Sequence, residues 1–188
     1  MKLLVNFVAF QLGWFACVLG AANGMAWAGP VVVVAAVVLH LATARRPLGE
    51  LYLVLAAMLV GLVADSLLLA TGWLSYPAGL WLPGLAPYWI IAMWALFATT
   101  LNVSMGWMRG RPVLTVLMGA VGGPMSYLAG EKLGAIELTQ PVLALAALAL
   151  AWAIAMPLLM WLAARFDGIR ENRVPEFVQR DWRVIGDV

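Results

Sequence analysis

Six apolar runs, each close to the length needed to cross the hydrocarbon core of a bilayer, dominate this chain. They fall at roughly 4–22, 26–43, 51–71, 87–106, 113–130 and 141–163, and a core about 30 Å thick takes about 20 helical residues. In lipid the backbone must satisfy its own N–H and C=O groups, so such a chain is expected to be all-α, a membrane-embedded bundle of about six transmembrane helices. Composition agrees, with 65% of the 188 residues hydrophobic and only 11% charged. That is too little charge to cover a water-soluble domain. The expected division is a helical bundle over 1–164 and a basic tail over 165–188.

The few charges fix the orientation. Lys2, Arg45, Arg46, Arg109, Arg111, Arg165, Arg170, Arg173, Arg180 and Arg183 fall at the N-terminus, in the second and fourth connections or in the tail, and Lys132 falls on the other side. The positive-inside rule then places both termini in the cytoplasm. Lys2 before an apolar run, with Ala26-Trp27-Ala28 beyond it, also has the outline of a cleaved signal. The run is longer than a usual signal core and contains Asn6 and Gln11, so residues 1–28 are expected to be retained as the first helix. The uncharged loop from Gly72 to Ala86, with Trp73, Tyr76 and Trp81, reads as an aromatic belt at the outer interface or as a lid. In the tail, Val178, Trp182 and Ile185 share one face of a possible interfacial helix. A solvated tail fits the same residues.

The stretch from Arg109 to Ala135 reads as the organising element, because it is apolar enough to span yet rich in groups that a lipid-facing helix does not need. Gly119, Gly123, Ser126 and Gly130 recur at helical spacing and make a face almost free of side chains, with Gly122 beside it. Pro124 lacks an N–H and leaves the carbonyl of Ala120 in want of another donor. These small residues predict close helix packing, and the Gly-Gly-Pro is not a phosphate cradle, since no loop-to-helix switch follows it.

Helix rise converts sequence position into depth. At about 1.5 Å per residue, Asp65 lies about 21 Å from the cytoplasmic edge, Ser126 and Tyr127 about 20 Å, and Trp94 about 9 Å below the outer edge. These four share one layer, with Glu131 and Lys132 just above it at the periplasmic mouth. Together they form the candidate ligand-binding set. A second layer holds Gln11 and Asn102, each about 10 Å from the cytoplasmic edge, with His40 slightly further in. An intramembrane carboxylate such as Asp65 is a functional candidate, and equally a hydrogen-bonded strut tying the third helix to the fifth. Glu131 and Lys132 read as a polar gate or an interfacial helix end. His40 reads as a proton carrier or as a packing histidine bonded to Asn102 or Gln11.

Several classes of chemistry have no residues to support them. With one histidine and one cysteine, Cys17, the chain offers no metal site or disulfide, and no cofactor is expected. Phosphate-binding loops, haem motifs, zinc-protease helices and the hydrolase nucleophile turn are absent, as is any feature for nucleic acid.

Pro87-Tyr88-Trp89, the run Met93-Trp94-Ala95-Leu96-Phe97-Ala98-Thr99-Thr100-Leu101 and the run from Gly119 to Gly130 carry a resemblance. With Asn6, Gln11, Trp14 and Asp65, they resemble a family of small bacterial inner-membrane proteins of unknown function, over most of residues 1–165. The resemblance implies a multi-pass inner-membrane location. Because members are encoded near enzymes that modify membrane fatty acids, it also implies lipid-related work by association. The leading expectation is a lipid-handling protein, or an accessory to a lipid-modifying enzyme, that holds an acyl chain or headgroup between the third, fourth and fifth helices. A small proton-coupled carrier, a lipid-modifying membrane enzyme and a scaffold are the alternatives.

Overall fold

The computed structural model describes residues 2–170. Among them run α1 (Lys2–Ala22), α2 (Ala28–Thr43), α3 (Pro47–Ala70), α4 (Tyr88–Leu101), α5 (Pro112–Lys132) and α6 (Pro141–Arg165), with a 3-10 turn at Gly106–Met108. The described residues hold no strand, only an isolated antiparallel bridge between Ser75 and Glu137. Four helices, α1, α3, α5 and α6, are long and apolar enough to cross a membrane. The protein is therefore an integral membrane protein of all-helical fold. The expected tail helix with Val178, Trp182 and Ile185 lies outside the described residues.

Local sequence explains the helix boundaries. Three helices, α3, α5 and α6, begin on proline, whose missing N–H would have no partner in a first turn. Gly72 and Gly134, just past the ends of α3 and α5, take φ of 68° and 86°, a left-handed conformation that ends a helix at little cost for glycine. Pro124 sits inside α5 without ending it.

Here one expectation is met only in part and a second fails. The expected spans at 26–43 and 87–106 correspond to helices of 16 and 14 residues, shorter than the roughly 20 that cross a bilayer unaided. α4 stops at Leu101 because polar groups take over its last turn. The Thr99 and Thr100 hydroxyls donate back to the carbonyls of Leu96 and Phe97, each at 2.7 Å. Asn6 Nδ2 donates to the Thr99 carbonyl at 3.0 Å, and the amides of Val103 and Met105 both donate to the Thr100 carbonyl. The helix end is thus satisfied from outside the helix.

The expectation that fails concerns the organising element. α4, not α5, is the central helix: no residue of it is exposed, and it packs against α1, α2, α3 and α6. α5 packs chiefly on α6. Its small residues do mark a close approach, but to α6: a Cβ at Gly119 or Gly123 would run into Trp152. Gly122 has open space where its Cβ would be.

α3 shows how one helix serves lipid and core together. Leu48, Tyr52, Leu55, Leu59, Val63 and Leu67 are exposed, a stripe that water would not tolerate and acyl chains would. Glu50, Leu53, Val54, Ala57, Gly61, Asp65 and Leu68 are buried on the opposite stripe. Both of the helix's acidic groups therefore face the bundle interior.

The two ends of the bundle differ. One gathers the connections around residues 23–27, 71–87 and 133–140, tied by the Ser75–Glu137 bridge and by the Gln140 amide donating to the Trp73 carbonyl at 3.1 Å. The other gathers Arg46, Arg109 and the segment after α6, where Arg46 N donates to the Gly168 carbonyl at 3.0 Å.

Gly123→Val is expected to destabilise by about 1–3 kcal/mol, the cost of forcing a side chain into a packed contact. Gly122→Ala should instead stabilise by roughly 0.5–1 kcal/mol through helix propensity. Unfolding in graded detergent mixtures measures both, and equal effects at the two positions would contradict this packing of α5 on α6.

Candidate functional site

Asp65 is fully buried, and its carboxylate accepts three hydrogen bonds from three different parts of the chain. Oδ2 accepts from Trp94 Nε1 of α4 at 2.7 Å. Oδ1 accepts from the hydroxyl of Tyr76, in the loop after α3, at 2.8 Å and from the hydroxyl of Tyr127 of α5. Gly61, one turn before Asp65, makes this possible: a Cβ there would overlap the Trp94 ring, so the glycine admits the indole and the aspartate receives its N–H. Trp94 in turn stacks on Trp152 of α6, with ring centroids 4.6 Å apart and planes 12° from parallel, and Gly123 of α5 gives Trp152 its room.

Of the expected layer, the structure thus brings together Asp65, Trp94 and Tyr127. Ser126 is not with them. It neighbours Tyr127 in sequence, so its side chain points about 100° away around the helix, and its hydroxyl accepts from Trp14 Nε1 of α1 at 3.2 Å. Glu131 is half-buried and Lys132 exposed. Neither side chain makes a hydrogen bond or ion pair among the described residues, and neither reaches Asp65. The residue that does close over Asp65 is Tyr76, whose loop folds inward so that this tyrosine is only 3% exposed. An interfacial tyrosine in an uncharged loop was its only sequence signal.

Beside this node lies a cavity of about 460 Å³, within the range of roughly 300–1,000 Å³ common for small-molecule sites. It is bounded by Phe10, Gln11, Trp14 and Val18 of α1, by Ile90, Met93, Trp94 and Phe97 of α4, by Trp152 and Met156 of α6, and by α5 from Met118 to Gly130. That length of α5 is about 18 Å. The cavity is thus elongated along the helices. Gly119, Gly122, Gly123, Ser126 and Tyr127 all lie on its wall, as do five of the chain's ten methionines. Gly122, Met118 and Met125 are also exposed, so the cavity opens beside this face of α5, on the flank of the bundle. No residue of α3 lines it. The expected location between the third, fourth and fifth helices is therefore corrected: Asp65 stands behind the cavity wall and holds two of its members, Trp94 and Tyr127.

The second expected layer is rearranged in the same way. His40 and Asn102 do meet, through a residue that depth alone did not single out. The Glu50 carboxylate, fully buried, has Oε2 2.9 Å from His40 Nε2. Its Oε1 accepts from Asn102 Nδ2 at 2.8 Å and from the Gly168 amide at 2.7 Å. The Asn102 side-chain oxygen accepts from Arg109, which also donates to Asp167 at 2.7 Å. Gln11 is absent from this cluster and lines the cavity instead. Glu50 escaped notice because it precedes the expected start of its span at 51, and Asp167 because it lies in the expected tail. Burial alone would push the Asp167 carboxyl up, yet the Arg170 amide, the Arg109 guanidinium and the Ile169 amide hold it below the usual carboxylate range. Between Glu50 and Asp65, about 22 Å of α3 offers only Tyr52 as a polar side chain, and that residue faces outward.

Among the described residues no group of histidine, cysteine and acidic side chains is arranged to hold a metal ion. What the geometry defines is an all-helical integral membrane protein with a buried carboxylate node at each of two levels and an apolar cavity open at its side. The chain belongs to the family described as Protein of unknown function (DUF2878), whose model matches residues 3–158. No curated protein and no solved structure matches it.

Asp65→Ala leaves three buried donors without their acceptor, at about 1–3 kcal/mol for each unsatisfied group. It is expected to lower the melting temperature in detergent more than Asp65→Asn, which keeps one acceptor oxygen. At the opposite cluster, the lowered Asp167 pKa means that its contribution is complete above the ordinary carboxylate value near 3.8 and is lost as pH falls through the lower folded value. Amide exchange at Ile169 and Arg170, whose N–H groups donate to Asp167, corrected for its intrinsic pH dependence, should show protection that collapses in that acid range. In Asp167→Asn the protection should be weak at neutral pH already.

Proposed function

We propose that this protein handles membrane lipid, and that an acyl chain occupies the cavity between α1, α4, α5 and α6. The observation that carries this reading is the cavity itself: elongated along the helices, walled by methionine and aromatic side chains, and open on the flank that faces the bilayer. Methionine is unbranched and flexible, so a wall rich in it adapts to a chain with many conformers. In this reading Asp65 keeps Trp94 and Tyr127 in place as part of the wall, and the α5–α6 glycine contacts set its width. Arginines at one end of the bundle, Arg45, Arg46, Arg109, Arg111 and Arg165, support an inner-membrane orientation with that end and both termini in the cytoplasm. A role as accessory to a lipid-modifying enzyme extends the proposal and rests on the family resemblance alone. A proton-coupled carrier has less support, given the apolar stretch of α3 between the two carboxylates.

Native mass spectrometry of the protein released from mild detergent tests the reading. The wild type should retain a lipid or fatty acid. Gly122→Trp, which places a ring in the open space at the cavity mouth, should lose most of it with its thermal transition unchanged. An empty wild-type protein, or an equal load in a folded Gly122→Trp, would overturn it.

A further inference from the structure

The cavity wall contains one side-chain amide, that of Gln11, and among the described residues it has no hydrogen-bond partner. Gln11 is half-buried. It lies near the middle of α1, about 14 Å from Lys2, within a helix long and apolar enough to cross a membrane. A primary amide left unpaired in hydrocarbon is costly. Other polar groups on the wall already have partners within the bundle: the Tyr127 hydroxyl and Trp94 Nε1 donate to Asp65, and Trp14 Nε1 donates to the Ser126 oxygen. No charged residue lines the cavity, so an ionised group on a guest would find no counter-charge there.

Resting on the lipid reading above, we infer that the guest is an acyl chain bearing an uncharged oxygen function, a hydroxyl or a carbonyl, within the chain rather than at its headgroup, and that Gln11 recognises it. An amide both donates and accepts, so either function satisfies it. A plain saturated chain would leave the amide unpaired at the same depth. Trp14, one turn along α1 on the same wall, holds Ser126 close to that side of α1, which leaves Gln11 as the one unengaged amide facing the guest.

The test is a competition, read by native mass spectrometry on the full chain in detergent, between stearic acid and hydroxystearic acid with its hydroxyl at mid-chain. The wild type should favour the hydroxylated chain by roughly tenfold, the scale of one hydrogen bond made in place of an unsatisfied group. Gln11→Leu and Gln11→Met should bind stearic acid at least as well as the wild type and show no preference. Equal binding of the two acids by the wild type, or a preference that survives in both variants, overturns the inference while leaving the lipid reading intact. Failure of the wild type to bind either acid overturns the lipid reading and the inference with it.

Discussion

The bundle is tied by buried carboxylates, and Asp65 is the one that joins the central helix α4 to α5. Three donors from α4, α5 and the loop after α3 converge on it, so one side chain fixes the relative positions of segments far apart in sequence. In lipid the hydrophobic effect gives helices little reason to prefer one another, and association rests on packing and on hydrogen bonds that have no alternative partner. The Trp94–Trp152 stack carries that fixation across to α6. Gly61 and Gly123 flank the stack and make it geometrically possible. Two glycines, two indoles and one carboxylate therefore span α3, α4, α6 and α5.

Much of this arrangement was legible before any coordinates, for reasons that also explain where legibility ended. Depth follows from helix rise, so Asp65, Trp94 and Tyr127 could be placed at one height from their distance to the span ends, and they are hydrogen-bonded. Height says nothing about azimuth. Ser126 therefore shares the level and points to α1, and Gln11 shares the level of His40 and Asn102 but lines the cavity. Residues outside the apolar runs had no height at all in that scheme. Tyr76, legible only as a belt or lid residue, and Glu50 and Asp167, which lie just outside the spans, each complete a buried cluster that helix rise does not reveal.

The choice of central helix illustrates a related limit. α5 carries the conspicuous small residues, but a face of glycine reports only that something approaches closely, and that something is Trp152. α4 is surrounded on all sides and its sequence is uniformly apolar until Thr99, which is how a buried helix reads when periodicity has no lipid face to report. Its early end at Leu101 leaves room for Asn102 and Arg109 to join Glu50 to the segment after α6.

The Trp14–Ser126 bond has a mechanical corollary. Among the described residues it is the one hydrogen bond joining α1 to α5, whereas α5 is packed along much of its length on α6. A bond of this kind contributes on the order of 1 kcal/mol. That single bond is therefore what draws the α1 and α5 walls of the cavity together, while α5 is otherwise held from its far side by α6.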